Sequence, residues 1–294
     1  MHRLLPYQCS STRAVLAECP LWDPRRRQLL YLDLVNPTIF EFDPENSITR
    51  SIALNLRAPL GGLCLRRSGG YLVFNADGVF SLNDALAVTG NVCRPHSSFT
   101  LAPPNDVAVH PNGQIFVATA DAKECAPVGG LFCLSAIDTW HRLCDGLIVG
   151  NGPAFAPGGD TVYLVDSPQR VIFAYHWDAD NFSLANRRVF ARVPSSAGFP
   201  DGLTVDSTGH VWNARWNGGS VVRYAPDGNE SSTVILPTRC VTSCTFGGAD
   251  LHTLFITTAN DSSASTSDQS NDYAGHVFKL DLAVKGTISS LAAL

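Results

Sequence analysis

The sequence lacks any apolar run approaching the roughly 18 residues that a membrane-spanning helix needs, and its longest apolar stretches, such as 29–32 and 71–74, are of strand size. It also lacks a basic block. Lys and Arg total 21 against 26 Asp and Glu, a net charge of −5, so neither nucleic acid nor an anionic membrane surface is an expected partner. Apolar residues seldom recur at three- and four-residue spacing, which leaves little signal for amphipathic helices. The nine cysteines are odd in number, and none falls in a CxxC pair or a zinc-like spacing. Reduced, mostly buried thiols in a cytoplasm fit that usage better than a disulfide framework does. The first residues carry no apolar core followed by a small-residue cleavage site, so no secretory signal is expected. GxSxG, HExxH and GxGxxG are absent, which removes the local signatures of serine hydrolases, zincins and dinucleotide binders.

What is present is strand grammar in an ordinary globular composition, with 45% hydrophobic residues, 24 Gly and 18 Pro. Short runs rich in Val, Ile, Leu, Phe and Tyr recur throughout: QLLYLDL, GYLVFNA, QIFVATA, TVYLVDS, HVWNARW and TLFITTA. Each is bounded by turn residues. Each also follows a similar lead, an apolar pair flanking one residue and then a polar turn with Pro or Gly. Six leads begin at Pro20, Leu63, Val107, Pro153, Leu203 and Cys244, separated by 43, 44, 46, 50 and 41 residues. That period matches a four-stranded propeller blade and exceeds leucine-rich or ankyrin repeats. The expected fold is an all-β, six-bladed β-propeller over residues 1–294 as one domain, with the N-terminal segment adding a strand to the last blade. The polar stretch 260–272, NDSSASTSDQSND, reads as a loop inside the sixth blade.

Superposing the six copies exposes a column expected two residues before each innermost strand: Glu18, Gly61, Asn105, Asn151, Asp201 and Thr242. Near-rotational symmetry places equivalent positions in a ring, so four side-chain oxygens are expected to converge at one end of the central channel. For one position, Asn or Asp is ordinarily a turn or capping residue. Four in one column favour a site. Oxygens without His or Cys suit calcium, magnesium or manganese, and an open catalytic site also accepts zinc or ferrous iron, so the identity of the single divalent ion stays open.

These residues carry a resemblance. ECPLW at 18–22, the Asn151-Gly152 pair followed by YLVDS, the segments 199–224 and 242–259, and the closing GHVFKLDLAVKG are similar to the regucalcin and gluconolactonase family of six-bladed propeller lactonases. The resemblance spans essentially the whole chain. It implies that Glu18, Asn151 and Asp201 hold the divalent ion in a central-channel metal site. It also implies that Asn105 lies beside the ion and meets substrate or water. Departures cluster on the substrate side: where many relatives have an Arg two residues before that Asn, this chain has Pro103.

The resulting expectation is metal-dependent hydrolysis of a sugar (aldono-) lactone, a small-molecule substrate, with Asp201 as the catalytic residue and no obligate protein partner. Hydrolysis of other esters or phosphotriesters and noncatalytic calcium binding are the alternatives that the same oxygens allow. Asp121 and Glu124, in the loop after the third repeat's second strand, are taken as substrate-binding at the channel mouth, against the reading of a solvated charged loop. Trp22, Trp212 and Trp216 read as packing residues, and His110 and His210 as solvent or turn residues at the end away from the column.

Overall fold

A computed structural model describes residues 6–260 and 272–294, so residues 261–271 of the polar stretch lie outside the described residues. Six four-stranded antiparallel sheets form a closed ring. Their innermost strands are Ala17–Asp23, Leu60–Leu65, Pro104–Val109, Gly150–Phe155, Phe199–Val205 and Val241–Gly247, which define blades 1 to 6 in chain order. Blade 6 is completed from the other end of the chain, as expected. Tyr7–Gln8 pairs antiparallel with Phe278–Asp281, setting Tyr7 opposite Lys279. The helical content among the described residues is confined to short 3₁₀ turns, such as Ser97–Thr100 and Ser195–Ala197, and no helix is long and apolar enough to cross a membrane.

Burial explains why the strands look different in sequence. Leu60–Leu65 is buried throughout because its two faces pack against neighbouring blades, whereas the rim strand Ile48–Ala53 has no buried residue. Each of the six seams between neighbouring blades holds its own apolar cluster, including the closing seam, where Trp22 and Phe42 of blade 1 meet Phe255 of blade 6. At about 25 cal/mol per Å² of buried apolar surface, the seams are the main favourable term holding the ring together.

The end of the ring away from the column is tied by the C-terminal segment. Gly286 bridges to Asp206, Ser289 donates to the carbonyl of Trp22 at 3.1 Å, and Ala292 and Ala293 donate to the carbonyls of Leu65 and Gly113 at 2.8 and 3.0 Å. A buried carboxylate at this end is satisfied from within. The Asp206 carboxylate is fully buried and accepts from Thr208, Trp212 Nε1 at 3.0 Å and Arg223 Nη2 at 2.7 Å. His110 occupies the expected turn, but it is buried and not solvent-facing. Its Nε2 donates to Gly159 O at 2.8 Å while Nδ1 accepts from Asn112 N at 3.2 Å, and Phe155 packs edge-on against the ring.

Among the described residues no disulfide joins any of the nine cysteines, and six of them are buried.

Candidate metal and active site

The column residues sit inside the innermost strands, at the second or third residue, and not before them. The reason is a bulge. In every blade the pairing register breaks at the column, between Glu18 and Leu21, Leu60 and Gly62, Pro104 and Asp106, Asn151 and Ala154, Pro200 and Leu203, and Val241 and Ser243. The Pro and Gly residues that read as turns are accommodated in the bulges, and pairing continues on either side. A bulge re-aims the side chain it carries, here toward the axis.

Four of the six column side chains line one cavity of about 240 Å³: Glu18, Asn105, Asn151 and Asp201. The other two do not contribute. At Gly61 a Cβ would lie 2.0 Å from the carbonyl of Pro104, so no side chain fits, and Thr242 is fully buried with its hydroxyl donated to the carbonyl of Ala17 at 2.6 Å. Gly152, next to Asn151, has φ +48 and its missing Cβ would sit 2.7 Å from Leu203 N, which is why this position takes glycine.

The amides are oriented by their donors. Asn105 Nδ2 donates to Gly150 O at 3.0 Å and Asn151 Oδ1 at 3.1 Å, and Asn151 Nδ2 donates to Ser167 Oγ at 3.1 Å. The oxygen of Asn105 is thereby left to the cavity, and that of Asn151, which already accepts from Asn105, keeps its second lone pair for it.

The carboxylates repel. Burial, followed by the charges of Asp201 and Asp106, pushes the Glu18 carboxyl well above its ordinary range. Burial and the Asp106 charge do the same to Asp201, against the opposing amide of Gly202. Asp106 itself is pushed up to about 6 by burial, although Gly152 N and Val107 N donate to its two oxygens at 2.7 and 2.8 Å. Among the described residues, no Arg, Lys or His lines the cavity. Buried carboxylates with no cationic, thiol or imidazole side chain among the described residues of the wall, and with amide oxygens beside them, form a donor set that fits a hard divalent cation.

The two loop carboxylates part company. Glu124 lines the cavity. Asp121 does not; its Oδ2 accepts from Cys125 N at 3.0 Å and Ala126 N at 2.8 Å, and these amides hold its carboxyl down to about 2. Asp121 thus shapes the loop that presents Glu124. Pro103, in place of the Arg expected from the resemblance, does not reach the cavity.

Among the tryptophans, Trp22 and Trp212 are core residues, stacked on Phe255 and edge-on to Phe246, whereas Trp216 lines the cavity beside Phe199. The reading of Trp216 as packing is therefore corrected: it ends its strand at the open end of the ring, beyond the seam that covers Trp212. Sequence reasoning also missed Asp106, Ser167 and Phe199. Asp106 had a signal, because it follows a column residue directly and its carboxylate grips the amide next to Asn151.

The family described as SMP-30/Gluconolactonase/LRE-like region matches residues 16–260. A pentonolactonase of Haloferax volcanii is 33% identical over 94% of both chains. A 6-deoxy-6-sulfogluconolactonase of Pseudomonas putida is 32% identical, covering 95% of this chain and 96% of the relative. The crystal structure of a calcium-binding protein, regucalcin, from Agrobacterium tumefaciens superposes with a TM-score of 0.92 at 25% identity, covering all of both chains.

Proposed function

Because the chain belongs to the SMP-30/gluconolactonase/LRE-like family, we propose that it hydrolyses a sugar lactone to the aldonic acid with the help of one divalent cation. The observation that carries this reading is the convergence of Glu18, Asn151 and Asp201 on one cavity whose wall, among the described residues, holds no cationic side chain. A divalent ion bound by those three residues supplies positive charge to an ester carbonyl and to the oxyanion formed when water adds.

The rest is the work of the chain. Asp201 takes a proton from the attacking water, whose oxygen forms the new bond to the carbonyl carbon. The bond from that carbon to the ring oxygen breaks, and the ring oxygen leaves as a hydroxyl by receiving the proton. Asn105, its oxygen facing the cavity, orients substrate or water. Phe199 and Trp216 cover the apolar face of the sugar ring and thin the water around it. A cytoplasm suits the same reading, since nine cysteines without a disulfide fit a reducing compartment.

The cavity's charge narrows the substrate. Two ligand carboxylates balance a divalent ion, and Glu124 then leaves the wall negative, so uncharged pentono- and hexonolactones are favoured over phosphorylated ones. A panel of both kinds, followed by acid release after chelation and readdition of calcium, magnesium, manganese, zinc or ferrous ion singly, tests this. Ion-dependent opening of uncharged lactones is the expected outcome. Turnover confined to phosphotriesters or aryl esters, or ion binding with no turnover, would replace the reading.

Glu124→Gln trades a charged acceptor for a neutral one. A charged acceptor is worth about 1–1.5 kcal/mol more than a neutral one, so KM for hydroxylated lactones should rise roughly 5- to 10-fold with kcat little changed, and the discrimination against phosphorylated lactones should narrow. Steady-state kinetics on one lactone of each kind read both effects. An unmoved KM would place Glu124 in solvent.

A further inference from the structure

Behind Asp201 lies a guanidinium whose hydrogen bonds go only to neutral oxygens. Arg215 is fully buried; its Nη1 donates to Asn213 Oδ1 at 2.7 Å, its Nη2 donates to the hydroxyl of Tyr224, and its Nε has no partner. Burial holds this group below its ordinary pKa. An interior charge so incompletely compensated is costly, and apolar residues of similar volume often replace such groups with a gain in stability. A role other than stability follows from what it touches.

Arg215, Asn213 and Val211 alternate along Val211–Trp216 and so share one face of the strand, and Val211 packs in the seam between blades 4 and 5. That seam separates the blade of Asn151 from the blade of Asp201. On the neighbouring inner strand, pairing breaks between Pro200 and Leu203, which takes the carbonyls of Asp201 and Gly202 out of the regular ladder. Asn213 Nδ2 replaces the missing donors, reaching Asp201 O at 2.8 Å and Gly202 O at 3.3 Å. A side-chain amide has nearly the same shape either way round, and only one orientation serves this bulge. Arg215 selects it, because a guanidinium can only donate and therefore demands Oδ1.

We infer that Arg215 and Asn213 are positioning residues for Asp201: the guanidinium fixes the amide, the amide fixes the bulge, and the bulge aims the carboxylate into the cavity. The inference rests on the lactonase reading only in taking Asp201 as the group that holds the ion and handles the proton.

Calorimetric titration with manganese and with calcium, each alone, tests it on the full chain. Arg215→Met and Asn213→Leu should each weaken ion binding roughly 10- to 100-fold, the range typical of residues that orient metal ligands. kcat should fall while KM for an uncharged lactone stays near the wild-type value. The double variant should be no worse than the poorer single one, since both act through one contact chain, and Arg215→Lys, which keeps a donor, should recover part of the affinity. Wild-type ion affinity in folded Arg215→Met, or losses that multiply in the double variant, would overturn the inference. If Arg215→Met does not fold, Asn213→Ser supplies the comparison, with wild-type affinity again decisive against it. Asp201→Ala separates the two levels: wild-type ion binding there defeats the lactonase reading itself, whereas loss there with retention in Arg215→Met defeats only the positioning role.

Discussion

Asp201→Ala should lower kcat/KM for every accepted lactone by at least about 10³-fold, because one substitution removes an ion ligand together with the proton acceptor, and general-base assistance alone contributes roughly 10² to 10⁴. The fold should survive. Without a bound ion the variant should unfold at the same temperature as the wild type or higher, since Glu18 loses the charge of Asp201 that pushes its carboxyl up. Activity and stability therefore move in opposite directions, a pattern expected of a site built from mutually repelling groups. Asp201→Asn divides the two tasks. An amide oxygen still binds an ion, more weakly, but accepts no proton, so turnover should collapse further than affinity does. Acid release under saturating lactone, with calorimetric ion binding beside it, reads both; near-wild-type hydrolysis in Asp201→Ala would remove the assignment.

Asp206→Asn should be the costliest single change for stability. Burial works against ionisation of this carboxyl, but the donors from Thr208, Trp212 and Arg223 outweigh it and hold the group below its ordinary range. Removing the charge weakens the pairing of the Arg223 guanidinium, which Thr208 and the face of Trp212 only partly make up, and losing a charge-assisted bond of this kind costs about 1.5–3 kcal/mol. The pH dependence follows from the direction of the shift. A carboxyl whose folded pKa is depressed contributes its full stability above the unfolded value, about 3.9, and loses it as pH falls toward the folded value. Urea unfolding at pH 7 should show the deficit in Asp206→Asn, and the gap to wild type should close as pH drops below about 4. A gap that stays constant through that window would mean that Asp206 is not the titrating group.

The periodicity of the chain made the ring legible because each blade repeats one grammar of strand and turn at nearly constant spacing. The column followed, since symmetry converts an equivalent position into a shared place around an axis. Glu18, Asn105, Asn151 and Asp201 were found in that way. What stayed hidden depends on geometry without a local signature. Cys19-Pro20 and Pro200-Asp201-Gly202 look like turns, and only strand pairing on both sides reveals a bulge. Trp212 and Trp216 share a strand, yet one is sealed in a seam and the other stands at the mouth. Asp121 and Glu124 have similar composition around them, but two backbone amides claim the former. Arg215 resembles any surface arginine on a strand, and its burial comes from a neighbouring blade.

Both fastenings of the ring, the pairing of Tyr7–Gln8 with Phe278–Asp281 and the segment from Gly286 onward, depend on residues far along the chain from blade 1. Until those residues are made, the sixth sheet has only its two inner strands, Val241–Gly247 and Thr253–Thr258, and the N-terminal strand has nothing to pair with. Glu18 is made early and Asp201 late, from opposite sides of the gap still to be closed. The nascent chain thus passes the synthesis of its first five blades as an open arc, and a chain cut short before residue 278 carries Glu18 and Asp201 on a ring that neither fastening closes.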